Sequence, residues 1–442
     1  MNKSVLLILL IAVPLLLFSF ANFGFAQSGT QVGGTINVDT TWTQANSPYN
    51  LTSPLIVSYG TPLTVQPGVT VNLNGYNLQV NGILCARGSN GSSIVFDSSG
   101  TGNVALTASS TSWNEQTGKG CIIENADFNN ASIFISDTAP KLDNNIINVG
   151  TNSEDGAINL ESGTAVISDN IIYGDIQCMD GASPTISDNF IQGEIYGQGF
   201  DISAPVIINN TIEGGANQVL ENAGIFADGT NYYIANNTIF NCGNAIVIAA
   251  GTQVITENLI INNTDAITIS GPSSVSTTII HNTICNNTNG LSSYEFAGSA
   301  TIAYNNIVNN TQYSFGGNLT YNWWGTTNQT AIAQMLPNGT AINPILTSPD
   351  TQAPAIPNIT TAPSPSPTPT PTPSTSPTQS QTSTTDSSTN PTSTPTGQPT
   401  ASPYQPATAI PEVSTIVALT LLTVSLAIAV VITMKKRNTS KS

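Results

Sequence analysis

Hydrophobic and polar positions follow a six-residue frame that recurs along the middle of the chain. The frame has an apolar residue at its first and last positions and an asparagine at its fourth, as in residues 167–172 and 234–239. The fourth-position asparagines, spaced 19 to 27 residues apart, are Asn145, Asn170, Asn189, Asn210, Asn237, Asn258, Asn282 and Asn305. A repeat of this length is typical of a solenoid, so the period decides the fold.

The residue types of the repeat favour strands and turns. Both a leucine-rich horseshoe and a β-helix have such a period, but isoleucine is β-branched, and Gly, Asn and Asp are frequent between the frames. We therefore predict an all-β solenoid of about ten or more coils, stacked about 4.8 Å apart, with the apolar positions pointing inward. The asparagine is expected to lie at the bend, because it tolerates the left-handed conformation, and to hydrogen-bond to the asparagine one coil along. A copy that opens at Ile122 is broken, since Asp127 stands at its second apolar position.

The two ends of the chain predict export and anchoring. Residues 1–26 have a charged start at Lys3, an apolar run and small residues at Gly24 and Ala26, which predicts a signal peptide; an uncleaved anchor is the alternative. A second apolar run precedes Lys435 and predicts a single-pass transmembrane anchor at residues 411–434 with a cytoplasmic basic tail at 435–442. The body is then extracellular, at the cell membrane.

A segment rich in Ser, Thr and Pro, residues 349–410, lies between the body and this anchor. It has too few apolar residues to offset the entropy of folding, so it predicts a disordered, extended stalk. The Pro411-Glu412 pair, the apolar run and the basic cluster resemble the C-terminal sorting signals of archaeal surface proteins, which archaeosortases cut. A plain membrane anchor is the alternative.

Two further segments resemble a known superfamily. Residues 63–71 and 78–84 resemble the first coils of right-handed parallel β-helix proteins of the pectate-lyase-like superfamily, especially NosD-like surface proteins with CASH repeats. The Tyr-Asn-Trp-Trp-Gly segment at 321–325 resembles the closing coil of such proteins. The resemblance covers about residues 33–348. It implies an N-terminal cap and first coils at 27–110, then repeats at 111–348 closed by an aromatic cap at Trp323 and Trp324.

The charge balance excludes one class of partner. Residues 27–412 hold all 25 Asp and Glu but only three of the eight Lys and Arg, a net charge of 3 minus 25, or −22. Such a surface repels phosphate backbones, so we expect no nucleic-acid binding. The enzymes of the superfamily use basic residues, yet no Lys or Arg lies between residues 142 and 434, and His281 is the only histidine. We interpret His281 as an exposed turn residue.

Four carboxylates form the most specific candidate for a metal-binding or catalytic site. Asp169 and Asp188 each precede a frame asparagine, and Asp175 and Glu194 each follow it by five residues, so each pair is expected to stack about 5 Å apart. Like charges that close predict a bound cation or a raised pKa. A calcium site, a retaining glycosidase pair and two solvated acidic turns all fit the pattern. No other cofactor is predicted.

Other side chains are candidates for surface chemistry. Those that could stack on sugar rings are Tyr232, Tyr233, Tyr294, Tyr304, Tyr313, Tyr321, Trp323 and Trp324. The five cysteines are predicted to be buried free thiols. N-glycosylation motifs that predict a glycoprotein include Asn50, Asn90, Asn209, Asn236 and Asn338. Three more, Asn262, Asn286 and Asn309, recur four residues after a frame asparagine in Asn-Asn-Thr motifs, for which turn chemistry is the alternative.

Two functions remain open at this point. The first is a membrane-anchored surface protein that binds a polysaccharide or another envelope component in a structural or adhesive role. The second is a surface polysaccharide hydrolase or lyase that uses carboxylates on the face of the β-helix. The scarcity of His, Lys and Arg favours the first.

Overall fold

The structure is a computed structural model that describes residues 29–149, 156–198, 203–214, 223–229 and 231–357. These residues form an all-β parallel solenoid of about eleven turns. The helical elements of this part of the chain are a 3₁₀ turn at Gln44–Asn46 and a helix α1 at Gln329–Met335. The predicted signal peptide and membrane anchor, and the predicted stalk beyond residue 357, lie outside the described residues.

Each coil contributes one short strand to each of three parallel sheets. The first sheet contains β2 Thr40–Trp42, β4 Pro62–Val65, β7 Ile83–Arg87, β10 Ile122–Glu124, β13 Lys141–Asp143, β16 Val166–Ser168, β19 Thr185–Ser187, β22 Val206–Ile208, β25 Tyr233–Ala235, β28 Thr252–Thr256, β31 Ser276–Ile280 and β34 Ser299–Ala303. The second sheet contains β5 Thr70–Asn72, β8 Ile94–Asp97, β11 Ala126–Asn129, β14 Ile146–Asn148, β17 Ile171–Tyr173, β20 Phe190–Gln192, β23 Thr211–Glu213, β26 Thr238–Phe240, β29 Leu259–Ile261, β32 Thr283–Cys285 and β35 Asn306–Val308.

The third sheet completes the coil. It contains β6 Leu78–Val80, β9 Asn103–Leu106, β12 Ser132–Ser136, β15 Ile158–Glu161, β18 Ile176–Met179, β21 Ile195–Gln198, β24 Ala223–Asp228, β27 Asn244–Ile248, β30 Asp265–Ser270 and β33 Asn289–Tyr294. At the N-terminal end, β1 Thr30–Ile36 pairs with the long strand β3 Tyr49–Val57, which in turn pairs with both β5 and β6.

The apolar positions of the frame form two columns in the core. Leu142 and its equivalents pair in register along the first sheet, and Ile147 and its equivalents pair along the second. Every member from Leu142 to Ile307 is at most 2% exposed. Because neighbouring residues in a strand point to opposite faces, the flanking residues form the outer surface. The prediction of an all-β solenoid with inward-pointing isoleucines is confirmed.

The copy near Ile122 is shifted by one residue rather than broken. Ile123 pairs with Leu142, and Phe128 pairs with Ile147. Phe128 is fully buried at the second apolar position, and Asp127 lies on the outer face of its strand. The expectation that Asp127 interrupts the core was therefore wrong, because the frame begins one residue later.

We call the corner between the first and second sheets the first corner. The residue with the left-handed backbone conformation at this corner is the one before the frame asparagine. Asp169 has a φ of 57° and Asp188 a φ of 59°, whereas Asn170 and Asn189 do not have a positive φ. The same holds along the whole corner, for Asn125, Asn144, Asp169, Asp188, Asn209, Asn236, Glu257, His281, Tyr304 and Tyr321. The expectation that the frame asparagine itself is left-handed was wrong, since its side chain is needed inside the coil.

The frame asparagines form a continuous buried ladder along the first corner. Each side-chain Nδ2 donates to the Oδ1 of the asparagine one coil along, at 2.9–3.0 Å, and each Oδ1 also accepts the backbone N–H of the asparagine one coil before. The ladder continues beyond Asn305 to Asn322, which is fully buried. It therefore satisfies the polar groups that the bend removes from the strand pairing.

The C-terminal end is closed by a further partial coil. Leu319 and Trp324 occupy the two apolar positions around Asn322 and are 0% and 4% exposed. Trp324 packs edge to face on Tyr313 at 5.6 Å, whereas Trp323 is half-buried and its backbone N–H donates to the Asn305 carbonyl. Ile332 of α1 is buried in the same core.

Residues 349–357 pack on the solenoid, although the sequence predicted that the stalk begins at residue 349. The backbone N–H of Asp350 donates to Oδ1 of Asn306 at 2.7 Å, and the Thr283 hydroxyl donates to the Pro354 carbonyl. These hydrogen bonds attach the segment to the second sheet, so the folded body extends to Pro357. Within the described part of the chain, no helix is both long and apolar enough to cross a membrane.

Candidate functional site

The first acidic pair lies on the outside of the first corner. Asp169 and Asp188 are exposed and occupy equivalent positions on consecutive coils, since Ser168 pairs with Ser187. Partial burial raises the pKa of Asp169, and the nearby carboxylates of Asp143 and Asp188 raise this pKa further. The pair is therefore a place where negative charge is concentrated and one proton is held more tightly than usual.

The second acidic pair has a different environment. Asp175 and Glu194 also occupy equivalent positions, but Glu194 is fully buried, and its backbone N–H donates to Oδ1 of Asp175 at 2.9 Å. Burial raises the pKa of Asp175, and this hydrogen bond partly opposes the shift. Asp175 thus caps a backbone group at the corner between the second and third sheets, here called the second corner.

The four carboxylates are not one metal cluster. Among the described residues, no group of three or more His, Cys, Asp or Glu side chains is placed to hold a metal ion. Asp169 and Asp188 lie at the first corner, before strands β17 and β20, and Asp175 and Glu194 lie at the second corner, after them. Calcium binding by either pair stays a prediction.

Between these two corners, the outer face of the second sheet carries an aromatic pair. Tyr173 is 39% exposed and contacts the half-buried ring of Phe190 edge to face, with ring centroids 6.4 Å apart. Ile171 pairs with Phe190 across the strands and adds apolar surface. We call Ile171, Tyr173 and Phe190 the aromatic platform; strand alternation in the frame could have predicted it, because these residues flank the inward isoleucines.

The aromatic residues singled out in the sequence divide into buried and exposed groups. Tyr232 is 1% exposed in the core, and Tyr313 and Trp324 are buried at the C-terminal end, so these three are not available to stack on a sugar. Tyr233, Tyr294, Tyr304 and Tyr321 are between 41% and 68% exposed. The two groups could not be separated from residue type alone, since the direction of each side chain depends on the exact register.

His281 is not a freely exposed turn residue. Its Nδ1 lies 2.8 Å from Oδ2 of Asp350, and its ring stacks on Tyr304, with centroids 5.7 Å apart. Tyr304 stacks in turn on Tyr321 at 5.6 Å. All three rings belong to left-handed residues of the first corner, which places them in one column at the C-terminal end.

Two basic side chains near the N-terminal end are engaged in ion pairs. The Arg87 guanidinium lies 5.1 Å from the centroid of the Trp113 ring and 3.6 Å from the carboxylate of Glu124. Lys141 lies 3.4 Å from the carboxylate of Glu115. These contacts attach the loop around Trp113 to the first sheet, which gives the bases a structural role.

The cysteines are free, as the sequence predicted. Cys121, Cys178, Cys242 and Cys285 are buried, and Cys85 is half-buried. Burial raises the pKa of the Cys178, Cys242 and Cys285 thiols to about 12, so these thiols are poor nucleophiles at neutral pH.

A second, shorter asparagine ladder explains the three motifs at the second corner. Asn262, Asn286 and Asn309 are left-handed, and the asparagine after each of them is buried. The buried residues hydrogen-bond from coil to coil at 2.9–3.0 Å, as Asn263, Asn287 and Asn310. The repeated Asn-Asn-Thr sequence is therefore corner chemistry, whether or not a glycan is attached.

The glycosylation motifs differ in accessibility. Asn90, Asn209, Asn236, Asn309 and Asn338 are exposed. By contrast, Asn50 is half-buried and accepts a hydrogen bond from the side chain of Asn72, and the Nδ2 of Asn286 is buried. Attachment of a sugar to Nδ2 requires access to that atom, so the exposed group is the better substrate.

The described residues form a parallel β-solenoid with an aromatic platform that lies between the exposed Asp169–Asp188 pair and the second acidic pair, Asp175 and Glu194. Comparisons with known protein families and with curated proteins found no match. Among solved structures, the chain is similar to a crystal structure of a mutant of the periplasmic alginate epimerase AlgG. The two are 12% identical, with 67% of this chain and 77% of that chain covered and a TM-score of 0.32.

Proposed function

We propose that the protein is a membrane-anchored surface protein whose solenoid binds a polysaccharide or another envelope glycan along the outer face of the second sheet. The observation that supports this most is the aromatic platform. Aromatic rings on a flat sheet face offer the apolar surface on which the C–H face of a sugar ring packs. The neighbouring Asp169 and Asp188 carboxylates are acceptors for sugar hydroxyl groups.

The charge of the body narrows the class of glycan. With 25 acids and three Lys or Arg in residues 27–412, the body repels uronates and sulfated sugars at long range. The proposed ligand is therefore a neutral or amino-sugar polysaccharide. The acids that flank the aromatic platform would stabilise the cationic amine of an unacetylated amino sugar.

Binding of purified full-length protein in detergent to a panel of neutral, basic and acidic polysaccharides tests this proposal. We expect retention of a neutral or basic glycan, and a loss of about tenfold in affinity in a Tyr173→Ala variant, about 1.4 kcal/mol. Tyr294→Ala is the matched control, because Tyr294 is a more exposed tyrosine on a different sheet. Equal losses in the two variants, or no retention of any glycan, would contradict the proposal.

A second candidate function follows from the raised pKa of Asp169. Partial burial and the nearby carboxylates of Asp143 and Asp188 raise the pKa of Asp169, and a general acid with a raised pKa beside a second carboxyl group is the arrangement of a retaining glycosidase pair. In this alternative, Asp169 protonates the leaving oxygen and Asp188 is the nucleophile. Release of reducing ends from a retained glycan, abolished in Asp169→Asn, would support a hydrolase; retention without turnover supports the binding protein.

The predicted ends of the chain supply the cellular part of the proposal. A signal peptide at residues 1–26 and an anchor at 411–434 would place the solenoid outside the cell on a Ser/Thr/Pro-rich stalk, and the NosD-like and archaeal-type resemblances agree with this location. Protease treatment of intact cells tests the topology. Removal of the solenoid without cell lysis is the expected result, and complete protection would contradict it.

A further inference from the structure

The segment at residues 349–357, here called the strap, crosses the outer face of the second sheet at its C-terminal end. The Asp350 backbone N–H donates to Oδ1 of Asn306 at 2.7 Å, and Nδ2 of Asn306 donates back to the Asp350 carbonyl at 3.2 Å. Further along, the Pro354 carbonyl accepts the hydroxyl of Thr283. The strap therefore runs from β35 to β32, from the last coil towards earlier ones.

One contact between side chains holds the strap. The Asp350 carboxylate lies 2.8 Å from Nδ1 of His281, and the two side chains are 12% and 18% exposed. The same Oδ2 also accepts the backbone N–H of Ala353 at 3.1 Å, which closes the strap into a turn. His281 is the only His, Lys or Arg between positions 142 and 434, so no other side chain of these types is near in sequence to replace it.

The outward positions at this end of the sheet are covered. Thr283, Cys285, Asn306 and Val308 are outward neighbours of the core isoleucines, yet they are at most 5% exposed. Farther from the strap, the outward residue Tyr173 is 39% exposed. These outward residues include polar and apolar side chains, and all of them are buried. Since they do not point into the core, we attribute their burial to chain that packs on the outside of the sheet.

We propose that the strap is a releasable cover over the C-terminal end of this face. Closed, it shields the outward residues of β32 and β35; released, it lengthens the open face by two coils, about 10 Å. Control of glycan access by the strap rests on the function proposed above, whereas the cover itself does not. The predicted anchor follows the strap in the chain, so tension between a bound glycan and the membrane would act directly on the His281–Asp350 pair.

Alkylation of full-length protein with a thiol reagent, mapped by mass spectrometry, tests the proposed cover. Cys285 is an outward residue of β32, the strand that the strap contacts at Thr283, whereas Cys178 lies inside the core on β18. In Asp350→Ala we expect Cys285 to react about tenfold faster, since the contacts of the Asp350 carboxylate with His281 and with the Ala353 backbone N–H are lost, while Cys178 stays protected. Glu295→Gln, at an exposed acid near the same end, is the control and should leave both rates unchanged.

Two results would overturn the proposal that the strap is a cover. One is an unchanged rate for Cys285 in Asp350→Ala. The other is an equal rise for Cys285 and Cys178 in both Asp350→Ala and the milder Asp350→Asn, which would show general unfolding. Glycan binding is then measured on the same variants.

The glycan measurement separates this proposal from the proposed function. An exposed Cys285 with tighter binding of long oligosaccharides in Asp350→Ala is the expected result. An exposed Cys285 with unchanged binding would overturn the control of access and leave the binding function standing. If no glycan binds the wild-type protein, the proposed function fails, while the Cys285 rates still decide whether the strap is a cover.

Discussion

Truncation of a single asparagine in the middle of the ladder should destabilise the solenoid strongly. The side chain of Asn237 takes part in five hydrogen bonds of 2.9–3.0 Å. Its Oδ1 accepts the backbone N–H and the side chain of Asn210, and its Nδ2 donates to the carbonyls of Ile207 and Ala235 and to Oδ1 of Asn258. Replacement by alanine removes all five at once in a site that is 1% exposed.

The expected magnitude follows from the groups that lose a partner. The backbone N–H of Asn210 and the carbonyl of Ile207 each lose the acceptor or donor that Asn237 supplied, while the Asn210 amide keeps the carbonyls of Ile186 and Ile208. An unsatisfied buried group costs about 1–3 kcal/mol, so Asn237→Ala should lose about 2–5 kcal/mol of unfolding free energy.

Thr238→Ala is the matched control. Thr238 is the next residue, is half-buried and points outward from β26. Its replacement should cost less than about 1 kcal/mol. Protein from a host without N-glycosylation is needed, because Thr238 completes the motif of Asn236.

Urea unfolding followed by circular dichroism measures the difference in unfolding free energy. Since a solenoid unfolds by neighbouring coils, hydrogen exchange across β22 and β25 should accompany it. The reasoning would be refuted if Asn237→Ala and Thr238→Ala lost the same unfolding free energy to within about 0.5 kcal/mol and had equal exchange rates. The ladder would then not stabilise the corner.

Three further predictions concern separate parts of the molecule. In a glycosylating host, Asn286 should be bare because its Nδ2 is buried, while the exposed Asn309 is modified, as glycopeptide mass spectrometry can show; a glycan on Asn286 in folded protein would contradict this. Asp169→Asn should raise the melting temperature at neutral pH, because the raised pKa of Asp169 means that its ionised form destabilises the folded state. The gain in melting temperature should vanish below the ordinary aspartate pKa of about 3.9, where the carboxyl group is protonated in both states. A gain that does not depend on pH would contradict this prediction. Gly197→Ala should destabilise, since a Cβ there would lie 1.5 Å from the hydroxyl oxygen of Tyr232, and Tyr232→Phe should restore part of the loss; no rescue in the double variant would contradict the contact.

The core and the ladder could be predicted from the sequence because both depend on local period. The spacing of Leu142, Asn145 and Ile147 repeats with little change, and each residue type has one physical role at its position. Alternation in a strand then fixes which side chains point inward. Coil length varies between repeats without obscuring this pattern, since the frame itself keeps its six residues.

Two parts of the ladder were missed although the signal was present. Residues 319–324 fit the frame, but tryptophan replaces isoleucine at the last position, so the predicted ladder ends at Asn305 and Trp324 is predicted only as an aromatic cap. The second ladder lies in the Asn-Asn-Thr motifs, which predict either glycosylation or turn chemistry. In each Asn-Asn-Thr motif, the first asparagine makes the turn and the second fills the core.

Long-range contacts of the candidate site could not be predicted. The His281–Asp350 pair joins residues 69 positions apart, and nothing in the period relates them. The burial of Glu194 and the exposure of Asp188 likewise depend on which side of a corner each residue lies. Residue type and spacing placed these acids on the right coils, but the sequence alone did not determine the direction of their side chains.

The identical geometry of successive ladder bonds makes the coil a unit of insertion and deletion. Asn237 donates to Asn258 at 3.0 Å, and Asn258 donates to Asn282 at 2.9 Å, so each asparagine presents the same donor and acceptor to its neighbours. Loss of residues 238–258 would leave Asn237 next to Asn282 in the ladder, with Ile260 in the place of Ile239 and still paired with Ile284. Insertion or deletion of a whole coil therefore changes the length of the solenoid by about 4.8 Å and leaves the packing of the core the same. The length of the solenoid is in this sense a heritable number of repeats.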